Sequence, residues 1–401
     1  MKKHDRVVVL PSFYPMEFNY TRGGFFEEQT RLIKGQNLNI SVIFNEDRSL
    51  KSVTLQKLRH VYFQRKFALE EGVPVLRKLS WNLIPTKFDL GRKLWVYHAV
   101  KLVKYFINNI FKPDLIHVHC VFNAGFVAHD IRMKYGIPYV ITEHSTYFAS
   151  AQFTAKQKKD LFTIYHHASK VIVVSHPFKK LLAEKIGISQ EFITVLPNFI
   201  DTDFFKPFSP SGQPNENKVV FTVCHHDHKK RLDRLIDAFG LVVKDYPDWK
   251  LLIGGNGQLT SSLIAKVKQM GLSDSVTFCG FLTKAEVREK MNSAGFFVLP
   301  SDVETFGVVL IEAMAMGLPV VSTKSGGPED IIIPETGLLV DKDVESLAAG
   351  MRSVIINRSS YDAQVIRQHV LDNFSGAVVA EKYIRIYENC LLDYQRTTPA
   401  D

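Results

Sequence analysis

The sequence is poor in the features that mark secreted, membrane-spanning and low-complexity proteins. It has only 4 cysteines among 401 residues, widely scattered and without a Cys-x-x-Cys pair. This spacing argues against a disulfide framework and a cysteine metal cluster, and it suits a reducing compartment. The sequence contains no run of about 18 apolar residues, so no transmembrane helix is predicted. It also contains no close internal repeat or low-complexity tract.

The N-terminus is short and charged from Met1 to Arg6, and it continues directly into Val7–Leu10 and Pro11. Four apolar residues followed by a turn predict a first strand. A signal peptide would need a longer apolar region, so none is predicted. We therefore expect a cytoplasmic protein.

Short apolar runs alternate with longer amphipathic segments along nearly the whole chain. The runs are rich in β-branched residues, which is typical of parallel strands covered on both faces. The predicted strands are Val7–Leu10, Ile40–Phe44, Leu115–Val118, Tyr139–Thr142, Val171–Val174, Phe192–Leu196, Val219–Val223, Lys250–Ile253, Val276–Cys279, Gly295–Leu299 and Pro319–Ser322. Segments between them, such as Arg231–Tyr246 and Leu259–Met270, have helical spacing. This alternation predicts an α/β fold.

A change in composition near the middle divides the chain. Lys206–Asn217 is rich in Pro, Ser, Gly and Asn, which indicates a linker. The strand-helix alternation restarts after it, and 401 residues with 46% hydrophobic content suffice for two cores. We expect two doubly wound, Rossmann-like domains at 1–205 and 206–377. The last segment, 378–401, is predicted to contain an amphipathic helix, Val379–Tyr394.

The formal net charge of +9 is concentrated in the first half of the chain. Residues 1–205 hold 29 Lys and Arg against 17 Asp and Glu, whereas the rest holds 21 against 24. The excess is greatest in 48–112, with 14 basic and 3 acidic residues among many aromatic ones. Such a surface suits anionic lipid headgroups or an anionic acceptor, although a solvated basic face above core aromatics explains the same composition. Nucleic acid is not expected, because no recognised binding motif is present.

The most informative segment runs from Val298 to Val321. A predicted strand ends near Leu299, a short loop carries Glu304–Gly307, and a helix is predicted over Val308–Met316 before Gly and Pro end it. A loop at the carboxyl end of a parallel strand is where doubly wound folds bind ligands.

Two features of this loop point to a long, anionic ligand. The backbone N–H groups of Thr305, Phe306 and Gly307 at the helix start suit a diphosphate. Glu304 and Glu312 are eight residues apart, up to about 12 Å along a helix axis. This is too far for a glycosidase carboxylate pair, which needs roughly 5 to 9.5 Å. It better suits two distant hydroxyl clusters on one elongated ligand, although two ordinary glutamates would show the same spacing.

These residues lie in a longer pattern that continues with Ser325–Asp330 and Thr336–Val340. The pattern closely resembles family-4 retaining glycosyltransferases of the GT-B fold. Further landmarks follow in the family's order, and the likeness covers almost the whole chain. They are Gly23–Gln29, Pro113–His119, Thr142–His144, Val174–Ser175 and Leu196–Asp201.

The resemblance implies roles for four residues. Glu304 would contact hydroxyls of the donor sugar, and Glu312 would contact the ribose. Lys230 would neutralise the diphosphate leaving group as a point charge. His144 would point into the cleft between the domains, where it orients the sugar or takes part in catalysis; a structural cap on its loop is the alternative.

One position departs from the family pattern. An Arg usually stands five residues before the Lys, in a Gly-Arg pair, and the matching residues here are Cys224 and His225. His225 is shorter, lacks the bidentate fork and is only partly charged near neutrality. The departure is expected to weaken the phosphate clamp or to make it depend on pH. The neighbours that could compensate are His226, His228 and Lys229.

The remaining candidates are glycines and a second histidine. Gly23 and Gly24 match the family's glycine loop beside the donor phosphates, although a plain turn explains them equally. Gly255 lies in a similar turn after a predicted strand, without the full dinucleotide fingerprint. His119 ends a strand and could line the cleft, whereas His117 is more often a core residue.

Asp201-Thr-Asp203 has the spacing of a metal-binding D-x-D motif. It lies just before the linker, and in the resembled family this segment is structural. We therefore expect neither a metal nor a cofactor. The charge of the leaving group must then fall on Lys230, His225 and helix N-termini.

The resemblance predicts transfer of a sugar from a UDP- or GDP-sugar, with retained configuration, in surface polysaccharide or glycoconjugate synthesis. The C-terminal domain would bind the donor, and the N-terminal domain a glycan or lipid-linked acceptor. The enzyme would act in the cytoplasm, in peripheral contact with the inner face of the membrane. The alternatives are a sugar-nucleotide epimerase, a phosphorylase, and a degenerate, non-catalytic family member acting as a partner subunit.

Overall fold

The computed structural model describes residues 5–15, 23–35, 38–49, 64–82, 89–208 and 217–397. The chain divides into two compact units. Unit 1 comprises Met1–Val174, Lys179–Leu196 and Val379–Asp401, and unit 2 comprises Ser175–Phe178 and Pro197–Val378. Residues 209–216 of the predicted linker lie outside the described residues.

The strands and helices are numbered in chain order. The strands are β1 Arg6–Pro11, β2 Asn39–Ser49, β3 Arg65–Glu70, β4 Val73–Asn82, β5 Leu115–His119, β6 Tyr139–Glu143, β7 Lys170–Val173, β8 Ile193–Val195, β9 Val219–Val223, β10 Lys250–Gly254, β11 Val276–Gly280, β12 Phe296–Leu299, β13 Val320–Thr323 and β14 Gly337–Val340. The helices are α1 Gly24–Lys34, α2 Asp89–Asn109, α3 Phe126–Tyr135, α4 Tyr147–Ser150, α5 Ala155–His166, α6 His176–Ile186, α7 Leu232–Asp245, α8 Thr260–Gln269, α9 Lys284–Asn292, α10 Val308–Ala315, α11 Val344–Ile356, α12 Ala363–Phe374 and α13 Gly376–Thr397.

The sheet of unit 1 has the order β3-β4-β2-β1-β5-β6-β7-β8. Its strands pair in parallel except for β3 and β4, which form an antiparallel hairpin. The predicted runs at β1, β5, β6 and β7 are fully or almost fully buried, as continuous apolar strands under helices should be. The α/β prediction is confirmed.

The β3–β4 hairpin is absent from the predicted strands, and β2 extends to Ser49, beyond the predicted Phe44. Glu71 and Gly72 both have positive φ, 44° and 77°, which suits a two-residue hairpin turn. The hairpin places an exposed, charged edge strand next to the parallel core.

The sheet of unit 2 has the order β11-β10-β9-β12-β13-β14, and every pair in it is parallel. Helix α10 begins at Val308, as predicted, and ends at Ala315. Large apolar residues of the central strands, including Phe221, Phe296 and Phe297, are completely buried. This core fixes where the loops leave the sheet.

Candidate active site

The strand order of unit 2 reverses between β9 and β12, since β10 continues the sheet on one side and β13 on the other. Open parallel sheets bind ligands in the crevice outside the carboxyl ends of two such strands. The loop after β9 carries Lys230, and the loop after β12 carries Glu304. The topology thus brings together two candidate residues that lie 74 positions apart.

The two side chains form an ion pair. The Nζ atom of Lys230 lies 2.6 Å from Oε1 of Glu304, and the hydroxyl of Ser301 donates to the same oxygen at 2.7 Å. Their side chains expose only 18% and 9% of their surface. Burial alone would lower the pKa of Lys230, but the Glu304 carboxylate outweighs burial and raises that pKa. Lys230 is therefore a charged group at neutral pH.

Asp302 ties the two loops together. Its backbone N–H donates to the carbonyl of Lys229 at 2.8 Å. Its carboxylate accepts from Arg234 at 2.6 Å and from Arg231 at 3.1 Å. Arg234 is 5% exposed, so removing this carboxylate would leave its guanidinium buried without an opposite charge. Asp302 consequently fixes the backbone immediately before Lys230 relative to the loop of Glu304.

The three backbone amides predicted to bind a diphosphate lie where α10 begins. Gly307 precedes the helix with a φ of 111°, a conformation that favours glycine. The side chain of Phe306 is 1% exposed and packs against Phe374, so only its backbone is available to a ligand. The carbonyl of Thr305 accepts a hydrogen bond of 2.7 Å from the hydroxyl of Ser175. The sequence landmark at Ser175 thus has a physical role, which sequence reasoning did not assign.

The backbone of Ser325–Gly327 packs against the backbone of the Glu304 loop. The backbone N–H of Glu304 donates to Ser325 at 2.8 Å, and the N–H of Gly327 donates to the Glu304 carbonyl at 2.9 Å. A Cβ atom on Gly327 would lie 2.2 to 2.4 Å from the backbone of Phe306. This approach explains why the Ser325–Asp330 landmark contains two glycines.

Glu312 lies one helical turn into α10 and is half-buried. Glu304 lies before the helix, in a loop that bridges to Gly326. The predicted spacing of up to about 12 Å along one helix axis is therefore only an upper limit on the axial separation.

The four candidate residues near the position of the missing Arg differ in exposure. His225 is exposed. His226 is fully buried, and its ring nitrogens lie 2.9 Å from Oγ1 of Thr260 and 3.3 Å from the carbonyl of Gly254. His226 therefore holds the turn after β10 and is not placed to replace the missing Arg. His228 and Lys229 are exposed and remain candidates for that task.

Gly255 has a packing reason to be glycine. Its φ is 103°, and a Cβ atom there would lie 1.9 Å from the carbonyl oxygen of Cys224. The turn after β10 thus packs backbone against backbone on the loop after β9. A phosphate contact at Gly255 stays a prediction.

In unit 1, the first turn of α1 lies over two candidate histidines. Phe26 packs on His119 and His144 at ring centroid distances of 5.0 and 5.1 Å. Gly23 has a φ of 92°, and a Cβ atom there would lie 2.6 Å from the backbone of Tyr14. Gly24 begins the helix with open space around its Cα. The fold thus brings Gly23, Gly24, His119 and His144 to one end of the sheet.

The histidines belong to a buried network. Nδ1 of His119 lies 3.1 Å from Nε2 of His144. His117 lies 2.7 Å from the Tyr387 hydroxyl of α13 and 2.8 Å from the Thr142 hydroxyl, in the core position expected for it. Burial lowers the pKa of His117 to about 3 and that of His119 well below its ordinary value. His117 and His119 are therefore both neutral near pH 7.

The D-x-D segment serves as a turn. The side chain of Asp201 accepts the backbone N–H groups of Asp203 and Phe204, both at 3.1 Å. Among the described residues, no group of three or more His, Cys, Asp or Glu side chains converges as metal ligands.

The described part of the basic segment 48–112 contains both buried and exposed residues. Arg77 points inward and pairs with Glu70, and Lys78 is 9% exposed, with its Nζ 2.7 Å from His98. These two residues therefore do not belong to a solvated basic face. The aromatic residues also divide: Trp95 and Phe106 are buried, whereas Phe67 and Tyr97 are each 52% exposed. Tyr62, Phe63 and Phe88 lie outside the described residues. Among the described helices, none combines the length and the apolar character needed to cross a membrane.

Comparison with known proteins agrees with this geometry. Residues 203–369 match the family described as Glycosyl transferases group 1, and residues 60–204 match Glycosyltransferase Family 4. One relative is the gpi3 subunit of phosphatidylinositol N-acetylglucosaminyltransferase from Schizosaccharomyces pombe, 25% identical over 290 residues, which cover 71% of this chain and 63% of that protein. The chain spans about two thirds of the length of the first curated relatives that it matches, between 63% and 68%.

Solved structures share the fold at low sequence identity. Sucrose-phosphate synthase from Thermosynechococcus elongatus aligns with a TM-score of 0.76 and 20% identity, over 97% of this chain and 100% of that one. Anabaena HepE in complex with UDP and glucose aligns with a TM-score of 0.72 and 18% identity, over 96% of this chain and 100% of that one. Together with the paired Lys230 and Glu304 at the reversal of the second sheet, these matches establish that the chain belongs to glycosyltransferase family 4 and has the GT-B fold.

Proposed function

We propose that the protein is a retaining, metal-independent hexosyltransferase that uses a UDP- or GDP-sugar and acts in glycoconjugate synthesis. The single observation that carries the proposal is the buried Lys230–Glu304 ion pair at the carboxyl ends of β9 and β12. A cation and an acceptor side by side, next to a helix start, match a ligand with a diphosphate at one end of a sugar. The yeast relative belongs to an N-acetylglucosaminyltransferase and HepE was solved with UDP and glucose, which supports the proposal.

The reaction assigned to this site is a same-face displacement at the anomeric carbon, because retained configuration requires the acceptor oxygen to arrive on the face from which the phosphate leaves. The acceptor hydroxyl oxygen forms a bond to that carbon, and the bond from the carbon to the donor phosphate oxygen breaks. The nucleoside diphosphate leaves with the electron pair and takes the acceptor proton on a phosphate oxygen. Lys230 and the amides of residues 305–307 stabilise the charge that develops there. Glu304 and Glu312 hold hydroxyls of the sugar and the ribose.

The acceptor is assigned to unit 1, as a glycan or a lipid-linked sugar. His144 is proposed to orient a sugar beside the first turn of α1, and its ring is held by His119 and Phe26. With Nε2 engaged by His119, His144 is better suited to positioning than to removing a proton. This agrees with a mechanism in which the leaving phosphate is the base.

The proposal is tested by calorimetry with UDP, GDP and their sugars, followed by transfer assays with labelled donors and lipid or glycan extracts. Lys230→Ala is expected to weaken binding of the accepted nucleotide about tenfold or more, because a charge-assisted contact contributes about 1.5 to 3 kcal/mol. Lys244→Ala is the matched control, since Lys244 is an exposed residue of the same charge in the last turn of α7 in the same unit. Failure of every nucleotide and nucleotide sugar to bind, or equal binding by Lys230→Ala, would exclude the proposal. A free epimerised sugar nucleotide without transfer would indicate an epimerase.

The second candidate function is that of a non-catalytic partner subunit, and the exposed His225 in place of an Arg favours it. Such a protein would bind the nucleotide sugar without turnover. His225→Arg distinguishes the two functions. An enzyme with a weakened clamp should gain donor affinity and rate, whereas a partner subunit should gain affinity alone.

We also propose peripheral contact with an anionic membrane through a β3–α2 surface, defined by Arg65, Phe67, Leu69, Lys93, Tyr97 and Lys101. All six residues are exposed. The guanidinium of Arg65 lies 4.1 Å from the ring centre of Tyr105, so edge strand β3 and helix α2 adjoin here. Cationic and large apolar side chains on one surface suit an anionic lipid interface, which would bring a lipid-linked acceptor within reach.

A further inference from the structure

The turn after β5 is strained at two residues that are not glycine. Cys120 has a φ of 64° and Asn123 a φ of 72°. Such conformations persist only where the surroundings hold them, and they cluster at ligand sites. Here the buried hydroxyl of Ser12 holds the turn. It lies 2.7 Å from the carbonyl of Cys120 and 3.1 Å from that of Phe122, and it accepts the N–H of Ala124 at 3.2 Å.

A second support is the carboxylate of Glu143, which is completely buried at the end of β6. One oxygen accepts the N–H of Val121 at 2.8 Å and the hydroxyl of Tyr165 at 3.1 Å. The other accepts the N–H groups of His144 and Ser145 at 3.1 and 3.2 Å. Burial raises the pKa of Glu143, although these four donors oppose the change. A single side chain therefore fixes the turn after β5 and the loop after β6 in one arrangement.

The two supported loops present a cluster of aromatic rings. Phe122 packs at centroid distances of 5.2 Å from Tyr147, 5.0 Å from Phe148 and 6.1 Å from Phe153. Phe148 is completely buried and anchors the cluster. Tyr147 is 54% exposed, and Phe122 and Phe153 are partly exposed. Three rings thus reach solvent from a fixed base.

The position of these rings indicates what they bind. Phe122 lies three residues after His119, and Tyr147 lies three residues after His144. An aromatic face carries partial negative charge, and the C–H groups on one face of a pyranose carry partial positive charge, so the two stack. Rings whose backbone is already fixed lose little conformational freedom on binding. A sugar is favoured over a lipid tail because the most exposed of the three rings, that of Tyr147, carries a hydroxyl that can hydrogen-bond to a sugar hydroxyl.

We propose that Phe122, Tyr147 and Phe153 form an acceptor subsite that binds the carbon face of a sugar ring. The proposal rests on the proposed function, because it names the part of unit 1 that receives the acceptor. It adds a substrate class: acceptors whose terminal residue is a pyranose with an apolar face, rather than a bare lipid or polyol hydroxyl.

The test uses saturation-transfer NMR with methyl glycosides of glucose, galactose, mannose and N-acetylglucosamine as probes. At least one is expected to show transfer to its ring C–H hydrogens with the parent protein. Tyr147→Ala and Phe153→Ala should each weaken that binding about fivefold, the effect of one aromatic contact. Tyr147→Trp keeps a ring and should retain binding. Phe122 is not substituted, because its turn is strained.

Phe162→Ala is the matched control, since Phe162 is a 40% exposed ring on α5 of the same unit, and it should bind as the parent does. Absence of transfer to all four glycosides, or unchanged binding by Tyr147→Ala and Phe153→Ala, would overturn the subsite. Calorimetry with UDP and GDP on the same proteins separates the two proposals. The effect of Lys230→Ala on nucleotide binding tests the proposed function. The effect of Tyr147→Ala on glycoside binding tests the subsite, so either proposal can fail without the other.

Discussion

The ammonium group of Lys230 and the carboxylate of Glu304 contact each other directly, with 2.6 Å between Nζ and Oε1. Each group therefore lies where the other's proposed ligand, a donor phosphate or a sugar hydroxyl, would bind. The two residues proposed to hold opposite parts of the donor thus neutralise one another before it binds. A diphosphate must draw Lys230 toward itself, and a sugar hydroxyl must then take the place of the ammonium beside Glu304. The pair keeps a buried cation charged until that exchange occurs.

Glu304→Gln should make nucleotide binding sensitive to alkaline pH. Without the carboxylate, burial is the largest remaining influence on Lys230 and lowers its pKa, whereas in the parent the pKa is raised. The charged form is present below the pKa, so the variant should lose affinity for UDP or GDP as pH rises from about 7 to about 9, before the parent does. Calorimetry at both pH values measures this. Parallel pH profiles for parent and variant would contradict the assignment.

Asp302→Ala should destabilise unit 2 and raise the KM for the donor. It leaves the guanidinium of Arg234 buried without its carboxylate partner. We expect a loss of about 2 to 3 kcal/mol in the free energy of unfolding, less than for a fully buried pair because Asp302 is 36% exposed. Asp233→Ala is the control, because Asp233 pairs with Arg231 at the surface and should cost less than about 1 kcal/mol. Urea unfolding checks both, and equal losses would argue against the tie.

The sequence predicted the strands best where burial on both faces left a continuous apolar run. Val219–Val223 is observed at its predicted bounds, and Lys250–Ile253 gains only Gly254. The strand Arg65–Glu70 was missed because its charged residues at an exposed edge give no apolar run. Its existence depends on pairing with Val73–Asn82, which local composition does not reveal.

The candidate site shows the same limit. Lys230, Glu304 and His144 were identified because they lie inside the family pattern, but the roles of the residues that position their loops were not. Asp302, Ser175 and Glu143 are polar residues at the ends of strands, where such residues are common. Their roles depend on contacts with segments far away in sequence, such as the bond from Ser175 to Thr305 across 130 positions.

Gly24→Ala separates function from folding at the glycine loop. A Cβ atom at Gly24 meets nothing within 4 Å, and alanine is the better helix former, so the variant should be as stable as the parent. If the donor phosphates approach this backbone, kcat/KM should nevertheless fall about tenfold. Gly23→Ala should instead unfold more readily, because its Cβ would clash with Tyr14. Thermal unfolding and transfer rates measure both, and full activity of Gly24→Ala would remove this position from the site.

Acid should destabilise the histidine network of unit 1. The pKa values of His117 and His119 are lowered in the folded state, so the unfolded chain takes up protons more readily. The free energy of unfolding should therefore fall as pH drops below about 6.5, by about 2 kcal/mol per histidine between pH 7 and pH 5. Urea unfolding of His117→Gln should show about half this dependence, because the amide can still bond Tyr387. The exposed His228→Gln should leave it unchanged; a parent equally stable at both pH values would contradict the neutral pair.

The β3–α2 surface should bind anionic vesicles through both charge and apolar contact. Phe67 and Leu69 are 52% and 72% exposed on the edge strand, with Lys101 of α2 exposed as well. Sedimentation with phosphatidylglycerol vesicles should retain the protein at low salt and release most of it at about 1 M salt, where screening is strong. Phe67→Ser with Leu69→Ser should weaken retention at low salt, since each exposed apolar side chain that inserts contributes about 1 kcal/mol or more. The same double change at Ile264 and Ile356, exposed apolar residues of unit 2, is the control for a general loss of hydrophobicity. Equal retention on neutral phosphatidylcholine and on phosphatidylglycerol, or no retention at low salt, would exclude the proposed contact with an anionic membrane. The proposed sugar-transfer site would be unaffected by either result.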